Sequence, residues 1–189
     1  MMRCLLATLL ALLAVPAQAQ VPTYSAGFYN VAVGAAANDV VCLENAGSRA
    51  IRMVALNLYG VGAANGTVHV SIVLRSTANS GGTSTTPAPV ALSGTQPATG
   101  VLRVYTADPV PGTLYGVLRE GRWDITTNGN AADPSGLLTV NPNYIPNVAR
   151  LTLKGSGSDP FPYAACVTFN GTGPASTLTG DVSWTEEAQ

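Results

Sequence analysis

His69 is the chain's single histidine, and it stands between Val68 and Val70 in the run TVHVSIVLR. A histidine is the usual base for drawing a proton from a serine nucleophile. One that alternates with valines reads more simply as an outward position on a strand, and no Gly-x-Ser-x-Gly turn presents a serine to it. Ser156 and Ser158 lie in GSGSDP, a turn already explained by its glycines and its Asp-Pro pair. That run lacks the lysine and the following helix of a phosphate loop. Glycoside hydrolysis needs two carboxylates facing each other across a cleft. Asp108, Glu120, Asp124 and Asp181 are available but scattered. Glu186 and Glu187 read as a charged edge that discourages strand-to-strand association. The expectation is no catalytic residue and no cofactor.

The cysteines carry a different chemistry. MMRCLLATLLALLAVPAQAQ has the layout of a secretory leader: one arginine, an apolar run from Leu5 to Val15, and small residues at Ala17 and Ala19. Its apolar run is shorter than the roughly 20 residues of a permanent membrane span. Residues 1–19 are therefore read as a signal peptide, with 20–189 as one domain and no stable membrane anchor after cleavage. Cys42 and Cys166 remain beyond the leader. In an oxidising compartment they could form a disulfide, worth about 5 kcal/mol at most by loop closure. The other reading is two small buried side chains that never meet. Two cysteines and one histidine do not make a zinc site.

Aromatic residues offer contact chemistry. Tyr144, in NPNYIPN, and Tyr163, in FPY, sit beside prolines in loop-like segments. They are the candidate interaction surface for a sugar or a receptor. Trp123 and Trp184 lie in strand-like runs, and Trp184 shares a face with Val182, which places it in the core. Asn65-Gly-Thr and Asn170-Gly-Thr match glycosylation acceptors, although hairpin turns are the simpler account.

Charge narrows the range of partners. Nine Lys and Arg stand against ten Asp and Glu, and charged residues make up only 10% of the chain. With no basic run, a grip on nucleic acid through phosphate neutralisation is not expected. Solubility must come from Ser, Thr, Asn and Gly, a style suited to an extracellular or particle-bound β protein.

The elements that would position these groups follow a period of two. TVHVSIVLR sets Val68, Val70, Ile72 and Leu74 on one face and His69, Ser71, Val73 and Arg75 on the other. FYNVAV (28–33), DVVCLEN (39–45), AIRMVALNLY (50–59), VLRVYT (101–106), GTLYGVLRE (112–120), ARLTLK (149–154), YAACVTFN (163–170) and LTGDVSWTEE (178–187) read the same way. Turn pairs separate them, including Asn65-Gly66 and the Asp-Pro pairs at 108–109, 133–134 and 159–160. The fold class predicted is all-β, a single antiparallel β-sandwich with jelly roll as one arrangement. Between Ser76 and Gly100, 17 of 25 residues are Ser, Thr, Gly or Pro. Too few strands precede this stretch to close a sandwich alone. It is read as a long loop at one end of a single domain, on which Val90 and Leu92 could dock. TTNGNAADPSG (126–136) reads as a shorter loop.

VLRSTANSGGTSTTPAPVAL, ATGVLRVYTADPVPGTLYGVLR and the closing GDVSWTEE together resemble a group of tailed-bacteriophage structural proteins. The resemblance spans most of residues 39–187 in order and spacing. It implies a small β-domain of the minor capsid, decoration or tail-associated type, without enzymatic activity. It also implies protein subunits of a virion as partners, with a homo-oligomer in keeping with such assemblies. The leader departs from that pattern, because virions assemble in the cytoplasm. The alternative is a secreted or periplasmic bacterial surface module, adhesin-like or carbohydrate-binding, stabilised by Cys42 and Cys166.

Overall fold

The computed structural model describes residues 21–33, 38–62, 64, 66–125, 137–140, 151–155, 161–170 and 176–188. The leader, Tyr144, Ser156 and Ser158 lie outside these residues. The described chain forms β1 (Thr23–Val33), β2 (Asn38–Asn45), β3 (Ala50–Gly62), β4 (Gly66–Arg75), β5 (Thr83–Thr85), β6 (Val90–Ser93), β7 (Gly100–Ala107), β8 (Leu114–Ile125), β9 (Leu137–Val140), β10 (Thr152–Leu153), β11 (Ala164–Phe169) and β12 (Ser176–Glu187). Two antiparallel sheets pack against each other, as expected of a β-sandwich. Sheet A runs β10-β3-β12-β1-β6, with β9 also on β3, and sheet B runs β5-β7-β2-β11-β4-β8. Among the described residues no helix is long and apolar enough to cross a membrane.

No two consecutive strands pair with each other. The hairpin reading of Asn65-Gly66 and Asn170-Gly171 is therefore corrected. Asn65 and Gly171 lie outside the described residues, but the strands on either side belong to different sheets: β3 of sheet A and β4 of sheet B around the first, β11 of sheet B and β12 of sheet A around the second. A Gly beside an Asn marks a sharp reversal, but the apolar faces on either side decide whether the chain reverses within a sheet or between two.

Period-two burial is clearest in β12, where alternate residues from Ser176 to Glu186 point inward. Trp184 is fully buried, and its ring centroid lies 5.8 Å from that of Tyr24 on β1. Gly100 makes room for that indole: a Cβ there would stand 2.8 Å from Trp184 Nε1 and from Ile51 Cδ1. Asn30 adopts φ 53° where β1 bulges between Phe28 and Val31. Such left-handed backbone suits Asn better than most side chains.

β4 departs from simple alternation. Val68, Val70, Ile72 and Leu74 are buried as predicted, yet Ser71, Val73 and Arg75 on the opposite face are buried too. Every residue of β11 is likewise buried. Sheet B therefore carries a second small cluster on its outer face, formed by Cys42, Val73, Tyr105, Tyr163, Ala164 and Cys166.

The Ser76–Gly100 stretch is more structured than a loop. Thr83–Thr85 pairs with β7 at the edge of sheet B, and Val90–Ser93 pairs with β1 at the edge of sheet A. The intervening residues thus pass from one sheet to the other along one side of the sandwich. The strand carrying Val90 and Leu92 joins through its backbone, and the two side chains remain 63% and 61% exposed, so docking here does not bury them.

Candidate functional site

Cys42 on β2 and Cys166 on β11 are direct cross-strand partners, with sulfurs 2.07 Å apart and bonded. Their separation of 124 residues ties together distant parts of the chain. The Asp39 carboxylate lies within 4.8 Å of both sulfurs. That trio is not a metal geometry, because cystine sulfurs offer no thiolate. Arg75 also occupies Asp39, with Nη2 2.8 Å from Oδ1 and Nε 3.0 Å from Oδ2. Thr168 donates its hydroxyl to the same carboxylate, and Asn79 donates from Nδ2 at 2.9 Å. Asn79 Oδ1 in turn accepts from the Gly112 N–H at 2.7 Å. A buried ion pair is retained when its remaining hydrogen-bonding capacity is met, and here it is.

Tyr163 belongs to this knot, which corrects its reading as an exposed contact. Its N–H donates to the Arg75 carbonyl at 2.7 Å, and its ring packs with the cystine and Tyr105. Proline neighbours suggested a loop, but the adjoining β11 pulls the ring onto the covered outer face. Burial raises the phenols of both tyrosines, helped by the Glu44 carboxylate, and Tyr105 is pushed up to about 12. Arg103 donates to Glu44 at 3.1 Å, and that hydrogen bond raises the guanidinium further.

Glu186 is corrected as well. It is the penultimate residue of β12, an interior strand flanked by β3 and β1, so it blunts no edge. Its carboxylate is buried and accepts from the Thr99 and Gly100 N–H groups, the Thr99 hydroxyl, the Trp184 indole and Arg49. Burial works to raise its pKa, but these donors win and hold it below the ordinary carboxylate value. Its work is to pin the end of the Ser76–Gly100 stretch onto sheet A.

The exposed chemistry lies elsewhere, at the far edge of sheet B. His69, Ser71, Glu120, Gly121, Arg122 and Asn170 line a hollow of about 240 Å³ on the outer face. The β4–β8 register sets His69 opposite Arg122 and Ser71 opposite Glu120. Asn170 donates to Ser71 Oγ at 2.7 Å. His69 and Ser71 share a face but no hydrogen bond joins them among the described residues, so the base does not reach the hydroxyl. The hollow is smaller than the pockets of about 300 Å³ and above that enclose organic ligands. Asp181 faces Asn57 on sheet A, remote from Glu120, so these two carboxylates do not share a cleft.

No protein-family model, no curated protein and no solved structure matches the chain.

β8 itself is the feature the residue chemistry did not single out. It spans twelve residues at the end of sheet B. Leu114, Tyr115 and Val117 along it are 53%, 47% and 49% exposed. The other strands at sheet margins, β5, β6, β9 and β10, are two to four residues long. Short edge strands are a common protection against unwanted pairing, and a long one is a template for it. The signal was present in the glycines of LYGVLREGRW, since a Gly inside a strand often marks the close approach of another backbone.

Proposed function

We propose that this chain is a non-enzymatic structural protein that binds neighbouring protein subunits, of the virion-associated or decoration type. The observation that carries this reading is β8, a long strand whose outer edge pairs with no described strand and which carries the exposed apolar Leu114 and Val117. The resemblance of RSTANSGGT, VYTADP and SWTEE to phage structural proteins supports the same reading. Its acidic and hydroxyl groups support binding better than turnover: Asp39, Glu44 and Glu186 are consumed by internal partners. The test is cosedimentation of the purified chain with intact particles from its source, with saturable binding at a fixed number of copies per particle. A chain that never saturates a particle surface, at any concentration, overturns the proposal.

The cystine favours a second reading, a secreted or periplasmic surface module, because disulfides persist in oxidising compartments. The hollow around His69, Arg122 and Asn170 would then be its contact for sugars or other polar ligands. Mass spectrometry of the native protein distinguishes the two. A new N-terminus near Gln20 with an intact cystine supports export, whereas Met1 with free thiols removes it.

A further inference from the structure

We infer that β8 pairs with β8 of a second copy, antiparallel about a two-fold axis at Gly121, so that the two sheets B become one continuous sheet. The inference deepens the proposed structural role and rests on it, by naming another copy of this chain as one neighbour.

Gly116 and Gly121 lie opposite Leu74 and Val70, on the inward-facing side of β4. Neither has left-handed backbone, and a Cβ built on either meets nothing within 4 Å. Glycine in a strand interior costs about 0.5–1 kcal/mol relative to alanine. Nothing within the described chain explains two such residues in one strand. A second backbone approaching the edge accounts for Gly121, at the centre of the pairing, while Gly116 lies beyond the paired residues.

Charge and overlap select the register. Opposed residues in an antiparallel pair must share a face, so a two-fold axis passes through a single residue. Centring on Arg119, Glu120 or Arg122 would set each against its own copy, like charge on like. Centres at Leu118 and before run across the bulge where β8 skips a residue between Val117 and Arg119. Centring on Trp123 also opposes unlike charges, Arg122 and Asp124, but leaves only residues 121–125 overlapped, so overlap length and not charge rejects it. Gly121 on the axis overlaps residues 117–125, with the bulge at Leu118 only near the two ends of the pairing, and sets Glu120 against Arg122 of the copy twice. Both side chains are exposed, and neither has an ion-pair or hydrogen-bond partner among the described residues. They lie on the outer face with His69 and Ser71, so the hollows of the two copies adjoin across the axis.

The test is sedimentation equilibrium of the purified, disulfide-intact chain with charge reversals. Wild type should dimerise reversibly. Glu120→Arg or Arg122→Glu alone sets two like pairs across the axis and should raise the dissociation constant at least about tenfold. The double reversal restores opposite pairs and should return it to within about threefold of wild type. Thermal unfolding of each variant verifies folding, which exposed, unpartnered side chains should not disturb. A monomeric wild type, or a dimer indifferent to all three variants, overturns the inference. Cosedimentation with particles is scored separately. A monomer that still saturates particles sinks the self-pairing and spares the structural role, and a β8 dimer that binds no particle does the reverse.

Discussion

At one margin of sheet B the chain doubles back on itself: Thr83–Thr85 pairs with β7, and Asn79 bridges Asp39 to Gly112. At the other margin β8 ends the sheet, with Glu120 and Arg122 unpartnered among the described residues and two glycines whose Cβ positions would be open. Both margins carry polar groups. What separates them is where the polar groups are spent. On the first side they satisfy each other inside the chain, and on the second Glu120 and Arg122 have no partner among the described residues.

The contrast is sharpest in stability. Asp39 is fully buried and holds Arg75, Asn79 and Thr168 together. Asp39→Ala would strand the Arg75 guanidinium in a covered site, and the expected loss is about 3–5 kcal/mol in denaturant unfolding. Arg122→Ala, at the open margin, should stay within about 0.5 kcal/mol of wild type when unfolding is followed at low protein concentration. Comparable losses at both positions would break the distinction.

Next in size is the cystine. Replacing Cys42 and Cys166 together with alanine should cost about 2–4 kcal/mol, with loop closure setting a ceiling of about 5. The same variant should also loosen Asn79 and Tyr163, which pack against the bridge. Faster amide exchange at Tyr163 and Gly112, with none at β8 beyond the global loss, would sharpen the comparison. A uniform increase would mean the two margins unfold as one.

Glu186 gives the acid side. Its folded pKa lies below its unfolded value, so its contribution is fully present above the ordinary carboxylate range, about 4.3. That contribution is lost as pH falls through the lowered folded value. Glu186→Gln should therefore destabilise by about 1.5–3 kcal/mol at neutral pH. Below about pH 4 the gap between variant and wild type should narrow. A gap that is constant from pH 7 to pH 3 would show that shape, and not charge, matters at this site.

Much of the fold was legible because alternation is a local signal. Val68 to Leu74 and Val182 to Trp184 announce their inward face by type alone, and each predicted run contains strand residues. ARLTLK shows the limit: only Thr152 and Leu153 pair, since β10 needs just the stretch opposite Ile51 and Arg52. Partners were less legible than strands. All ladders join segments that are not consecutive in the chain, so turn residues such as Asn65-Gly66 could not reveal which sheet came next. The outer-face cluster was hidden for the same reason. Tyr163 and Glu186 carry polar atoms that suggest solvent, and only the tertiary neighbours Arg75, Thr99 and Gly100 supply their hydrogen bonds. Glu120 and Arg122 were visible as charges, but their meaning depends on β8 being last in its sheet.

The smallest effect separates the margins through glycine. Gly82, in the segment leading to β5, has φ 69°, and a Cβ there would stand 2.7 Å from the Ala107 carbonyl oxygen and 3.0 Å from Pro109. Gly82→Ala therefore pays for both a left-handed backbone and a clash, and should destabilise by about 1–2 kcal/mol. Gly116→Ala meets open space on an ordinary strand backbone. It should change the stability of the monomer by less than about 1 kcal/mol, and in the stabilising direction, because alanine has less freedom to lose on folding. Thermal melts of the two variants, run at matched dilution, check the sign as well as the size. If Gly116→Ala is the more damaging of the two, β8 is crowded by its own chain, and its glycines give no reason to look beyond the molecule for their cause.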